Sequence, residues 1–373
     1  MRAILVHTAR NRAASAAVGK GKEVTEQIRA RSILFLPRKL LDVPAHQRRS
    51  MGRLLSLIGI ACLILLNLTD ADYDDFLIFL GLYMLLAGCA ALGIGFTTHR
   101  IRLARPNSAI EPFDYGAWLG VTALITGMTI TCFMIFKQFI LPPRGFPFDP
   151  FLARLDRWLF LGHDPWTITH ALLPSWQAAK LLDLCYTNVW FVVMYCFPAI
   201  AITMAKNYEI RLRLVTCWLI SWMLIGSAAA WLFGSAGPCY YNALIGPNDS
   251  FALLNQSLAQ LSAQGRAAGF TIHTLDYQPQ LLSTFLEPEL EAVGGISAMP
   301  SMHVAMAALF AIGGFQIRRW LGWLMSVYAC AIWIGSIHFG WHYATDGIVG
   351  AAMMFGLWKA TALLTLARFT RAS

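Results

Sequence analysis

The stretch GSIHFGWHYATDG, Gly335 to Gly347, joins two strongly apolar segments near the C-terminal end of the chain. It carries His338, His342 and Asp346, each four residues after the last. On a continuous helix that spacing is about one turn, and it puts the three side chains on one face with neighbours about 5–6 Å apart. Asp346 is then placed to hydrogen-bond one ring nitrogen of His342. Such a bond fixes the tautomer and leaves the other nitrogen free to attack or to move a proton. The same face offers a three-ligand metal site as an alternative reading, but no Glu lies close by in sequence to serve as base or fourth ligand. Ionisable groups at membrane depth are costly and by default mark function.

Composition supports the membrane reading. The chain has 373 residues, 57% hydrophobic and only 13% charged, with 13 Trp and 23 Phe. Its mean hydropathy is +0.55. An ordinary soluble domain carries about 25% charged residues. The net charge of +9 does not point to nucleic acid, because 12 of the 29 Lys and Arg fall within residues 1–53 and most others sit between apolar runs. A positive-inside bias accounts for that distribution, and no recognised nucleic-acid motif accompanies it. Seven of the eight cysteines lie in apolar runs and read as small core residues. Cys239 alone falls in an expected outer loop, without an evident disulfide partner.

The pattern predicts an all-α polytopic membrane protein with about eight transmembrane helices. Residues 1–50 form a basic tail, read as cytoplasmic, since Ile4 to Val6 is too short to be the apolar core of a signal peptide. Residues 51–114 hold two accessory spans, at about 54–68 and 76–96, joined by an acidic turn with Asp70, Asp72, Asp74 and Asp75. Residues 115–373 hold the rest, with spans near 115–140, 184–205, 214–233, 300–317, 320–337 and 343–366. Residues 148–180 mix tryptophans with charges and read as interfacial helices along the headgroups, and 234–299 form an outer loop long enough to cap a site. Arg100, Arg102, Arg105, then Lys206, Arg211, Arg213, then Arg318 and Arg319, then Arg368 and Arg371 fall on one side, which is the cytoplasmic one. His303, His338, His342 and Asp346 then face the other side.

A second histidine source is MPSMHVAM, residues 299–306. Ser301 is placed as N-cap of the span that follows, so that His303 stands at a helix N-terminus where free N–H groups and the dipole favour an anion such as phosphate. Pro238, Tyr240 and Tyr241 follow the fifth span in GPCYY and read either as belt residues or as hydroxyl donors folded over a headgroup. The run LDRWLFLGHDPW, Leu155 to Trp166, reads first as an amphipathic anchor.

Together these pieces resemble the PAP2 (type 2 phosphatidic acid phosphatase) superfamily. PSMH (Pro300 to His303) is similar to its PSGH-type second motif, and HYATD (His342 to Asp346) to the HxxxD of its third. The branch with fungal inositol phosphorylceramide synthases and sphingomyelin synthases is the nearest resemblance, with GPCYY in the place of that branch's first motif and LDRWLF…GHDPW similar to a segment of its bacterial members. The phosphatases' KxxxxxxRP motif is not found at the expected place, since Arg105-Pro106 lies on the cytoplasmic side without the lysine. Gly335-Ser336 also replaces the Ser-Arg that opens the third motif.

The resemblance implies a six-helix PAP2-like core and a metal-independent, cofactor-free enzyme. In it His342 attacks phosphorus, Asp346 orients His342, and His303 protonates the leaving group. Ser301, His338, Tyr240, Tyr241 and Pro238 are the expected substrate contacts, with His338 and the tyrosines standing in for the missing cations. The expected donor is a phospholipid within the bilayer and the acceptor a lipid hydroxyl, which makes a phosphotransferase; water as acceptor makes a lipid phosphate phosphatase. A lipid transporter with histidine proton relays is the reading from another class, but the ionisable groups cluster at one face, not along a pathway. The expected location is a bacterial inner membrane with the site facing the periplasm.

Overall fold

The computed structural model describes residues 44–69, 73–103, 115–286 and 294–369. The basic tail therefore lies almost wholly outside the described residues, as do Asp70, Asp72, the pair Arg105-Pro106 and Arg371. Among the described residues there are helices and no strand.

The chain opens with α1 (Ala45–Leu68) and α2 (Tyr73–Leu103), followed by α3 (Tyr115–Ile135), which a π-helical turn extends to Ile140. Two short helices follow, α4 (Asp149–Leu159) and α5 (Pro165–Leu172). Next come α6 (Trp176–Leu184) and α7 (Trp190–Met204), merged into one rod by a π-helical turn at Cys185–Val189. In α8 (Tyr208–Met223) a π-helical turn at Leu224–Ala229 again prolongs the rod. The region 234–299 is not a plain loop: it folds into α9 (Asp249–Ala267) and α10 (His273–Leu286). The last three helices are α11 (Met302–Ile317), α12 (Arg319–His338) and α13 (Ala344–Phe369).

Six of these rods have the length and hydropathy to cross a bilayer: Ala45–Leu68, Phe76–Arg100, Tyr115–Ile140, Trp176–Met204, Tyr208–Leu232 and Arg319–His338. α11 is apolar but has only 16 residues, about 24 Å at 1.5 Å per residue. It is buried almost all round, from Met302 to Gly314, as a helix without a polar face must be. It packs against α12, α13 and α8, which makes it the central post of the bundle. α1 and α2 instead turn large apolar side chains outward, including Leu63, Ile64, Leu77, Leu85 and Leu92, as helices facing lipid do.

The fourth rod starts at Trp176, earlier than the span expected from Leu184, and its two charges satisfy each other there. Lys180 donates to Asp183 Oδ2 at 2.8 Å and also reaches the carbonyl of Thr271. Cys239, expected in an exposed loop, is buried.

Candidate active site

Ser301 caps α11 as its sequence position predicts, its hydroxyl accepting the N–H of Val304 at 3.4 Å. It is fully buried, and its own N–H donates to the carbonyl of Asp346 at 3.0 Å. Ser301 therefore joins the start of α11 to the start of α13, and it is not among the residues that border the cavity described below. Two residues on, the His303 ring lies between the rings of Tyr186 (4.3 Å between centroids) and Trp190 (4.1 Å). The stacked faces leave the edge of the ring to meet the cavity that it borders.

The expected single helical face carrying His338, His342 and Asp346 does not exist. The helix ends at His338, and the chain turns through Gly340 at φ +69°, where a Cβ would fall 2.7 Å from Leu254. A new helix begins at Ala344. The break sends His338 the other way: it is fully buried, with its ring 4.3 Å from that of His170, and it does not border the cavity described below. His170 Nε2 donates to the His338 carbonyl at 2.8 Å, so its Nδ1 is left to accept from Ser257. His338 is thus a packing residue, and the three-ligand metal arrangement is not formed by these residues.

His342 and Asp346 do meet. Nδ1 of His342 lies 2.7 Å from the carbonyl oxygen of Ala298 and 3.5 Å from Oδ2 of Asp346. A carbonyl oxygen only accepts, so Nδ1 carries the proton and Nε2 holds the lone pair. The closest orienting partner is therefore Ala298, with Asp346 behind it. Asp346 is fully buried, and its Oδ2 accepts the N–H of Tyr343 at 2.9 Å. Burial pushes the His342 imidazole down to about 3, against the smaller opposing effect of the Ala298 carbonyl and helped by the charge of Lys137. At neutral pH His342 is uncharged, so its approach to Asp346 is not an ion pair until a positive charge develops on the ring.

His303 and His342 border one cavity of about 680 Å³. Lys137 lines it too, with its ammonium 5.9 Å from the centroid of Phe133. Among the described residues no carboxylate pairs with Lys137. A cation facing a cavity without a counter-charge is suited to an incoming anion. The three π-helical turns among the described residues all reach this cavity, through Lys137, Tyr186 and Gly226. Such turns are frequent at functional sites because the extra residue re-aims a side chain.

Sequence reasoning missed Lys137, although a signal was present. Lys137 and Arg144 stand at the lysine-to-arginine spacing of the KxxxxxxRP motif, with Gly145 where that motif has proline. Arg144 is turned away and donates to the carbonyls of Trp231 and Leu232. The remaining expected contacts divide. Tyr240 borders the cavity, but its hydroxyl donates to the Gln278 carbonyl at 3.0 Å. Tyr241 packs on Phe251 away from the cavity. Pro238 borders a small crevice behind His342. There Gly237 adopts φ +94°, and a Cβ would fall 2.4 Å from the Trp341 carbonyl.

The stretch 148–180, read as interfacial helices, holds the site together through α4. On α4, Asp149, Leu152 and Asp156 fall on one face and are buried. Asp149 accepts the N–H groups of Ala236 (2.8 Å) and Gly237 (2.9 Å) and the Tyr343 hydroxyl (3.0 Å). Asp156 accepts the N–H groups of Ala344 (2.6 Å) and Thr345 (3.0 Å), which open α13. Burial pushes both carboxyls above their ordinary value, and these same hydrogen bonds oppose it.

No match is found among curated proteins or among solved structures. A family model described as the PAP2 superfamily matches residues 150–360. That stretch holds Asp156, His303, His342 and Asp346, while Asp149 and the helices α1 to α3, with Lys137, precede it. More than half of the chain is covered by the match, and the histidines that border the cavity fall inside it: the chain belongs to the PAP2 superfamily.

Proposed function

We propose that the protein is an integral membrane lipid phosphotransferase that works through a phosphohistidine on His342. The observation that carries this reading is the meeting of His303, His342 and Lys137 on one cavity. Nε2 of His342 attacks phosphorus as the bond from phosphorus to the leaving oxygen breaks, and His303 gives that oxygen its proton. Lys137 holds the negative charge of the phosphoryl oxygens. Asp346 stabilises the ring as it becomes positive. In the second step His303 takes the proton of an acceptor hydroxyl, a new oxygen–phosphorus bond forms, and the nitrogen–phosphorus bond breaks. The acceptor is a lipid hydroxyl, as in inositol phosphorylceramide synthase-like enzymes, and the site faces the periplasm.

Support comes from the neutral state of His342, which keeps its lone pair available at the cavity that His303 and Lys137 also border. The test is product analysis with the purified protein in mixed vesicles containing radiolabelled phospholipid, with and without ceramide. Label entering a new lipid only when ceramide is present is the expected result. Free inorganic phosphate from a lipid monophosphate, without any acceptor, identifies the phosphatase instead. The His342→Asn variant keeps an N–H donor for Ala298 but lacks the attacking nitrogen, and turnover by it would overturn the mechanism.

A further inference from the structure

The cavity has two unlike arms. Above the histidines its border is polar, with Asn188, His273, Thr274 and Ser297. Below them it descends between α3 and α7 along Met134, Ile130, Phe191 and Met194. Phe191 and Val192 border this lower arm and are 43% and 59% exposed on the lipid-facing surface, so a chain can enter it from the bilayer.

Two phenols interrupt this apolar arm. Tyr195 stands five residues beyond Trp190 on α7, about 7.5 Å deeper along the helix axis than the ring stacked on His303. Its ring packs on Phe191 at 4.7 Å. Its hydroxyl has no hydrogen-bond partner among the described residues, although the residue is only 5% exposed. Tyr83, also 5% exposed, reaches the same arm from α2, and the two phenols are near enough to act on each other electrostatically. A phenol that opens on a cavity and makes no protein hydrogen bond, as Tyr195 does, is available to donate to a bound ligand.

We infer that Tyr195, with Tyr83 facing it, recognises the acyl linkage carbonyl of the lipid in the lower arm, so that the bound lipid is an acylated phospholipid and not a polyprenyl phosphate. The carbonyls of an acylated lipid follow its phosphate by a few bonds, the depth at which Tyr195 stands below His303. A polyprenyl chain is hydrocarbon from the phosphate onward and would leave the phenol unmet. Tyr83 lies before the stretch that matches the family, so this recognition comes partly from the accessory helix α2. The inference rests on the proposed function for the place of the phosphate.

The test separates binding from turnover. The full-length His342→Asn protein is titrated with dioleoyl phosphatidate, with its di-ether analogue of equal chain length, and with a polyprenyl phosphate. Binding is read from the intrinsic fluorescence of the tryptophans bordering the cavity, Trp190, Trp222 and Trp341. The ester lipid is expected to bind about tenfold more tightly than the ether, the factor that about 1.4 kcal/mol corresponds to. Adding Tyr195→Phe, which keeps the ring and removes only the hydroxyl, is expected to bring that ratio to about one; Tyr83→Phe is expected to reduce it. An ester-to-ether ratio within twofold before Tyr195 is changed, or one untouched by Tyr195→Phe, overturns the inference. So does polyprenyl phosphate binding as tightly as the ester, or no lipid binding at all. Failure of the phosphotransfer reading shows separately, as absence of turnover by the native protein while the binding ratio persists.

Discussion

Asp156 of α4 accepts the N–H of Ala344, 188 residues further along the chain, at 2.6 Å, and so sets where the helix carrying Asp346 begins. The first N–H groups of a helix have no partner within it, and a carboxylate there satisfies them and complements the dipole. Asp156→Asn keeps the shape but leaves one acceptor in place of two, with an NH₂ facing the second N–H. A buried donor left unpaired costs about 1–3 kcal/mol. The melting temperature in detergent should fall by several degrees, and turnover should fall with it as Asp346 and His342 lose register. An unchanged melting temperature would show that the cap is dispensable.

Lys137 offers the sharpest separation of function from stability. It faces the cavity without a carboxylate partner among the described residues, so Lys137→Met removes a costly buried charge and should leave the melting temperature unchanged or raise it. Losing a preorganised charge at a developing anion commonly costs two to three orders of magnitude in rate. The kcat/KM for lipid turnover should therefore drop by about that much, with Lys137→Arg in between. A variant that is both stable and fully active would remove Lys137 from the phosphate site.

His342 makes stability depend on pH in a known direction. Its imidazole sits at about 3 in the fold, against about 6.5 in an unfolded chain. Below pH 6.5 the unfolded chain takes up a proton that the folded protein refuses. The stabilisation is present above 6.5 and is lost as pH falls toward 3. Between pH 6.5 and 4.5 this amounts to about 2–3 kcal/mol. Thermal unfolding at several pH values should show native protein losing stability over that window faster than His342→Asn. Parallel curves for the two proteins would contradict the neutral, buried state of this ring.

Much of the architecture was legible because a bilayer dictates it: apolar helices of about 20 residues separated by basic turns can be read from composition alone. His303 was legible for a local reason, the N-cap serine two residues before it. The i+4 reading of His338 failed because it assumed an unbroken helix, and one glycine with positive φ ends it. Asp149 and Asp156 were unreadable as site-builders because their partners lie 87 or more residues away, and nothing in an amphipathic run announces them. Lys137 at the end of an apolar span looks like any lysine reaching for the interface. Only the packed bundle turns it inward.

Ser301 and His338 were both expected to touch the substrate, and the fold gives each another task that can be measured. Ser301→Ala removes an N-cap, which costs about 1 kcal/mol. Ser301 is fully buried and does not border the cavity, so lipid KM should stay within about twofold even as the melting temperature falls. His338 fills a fully buried position against the ring of His170, so His338→Ala should leave a cavity and lower stability by about 2–4 kcal/mol, by analogy with other large-to-small core changes. His338→Phe, which restores an aromatic ring to the stack, should recover most of that stability and most of the turnover, although it can neither donate nor accept a proton. A substrate ligand would behave in the opposite way: the phenylalanine would be stable and inactive, and that result would return His338 to the site.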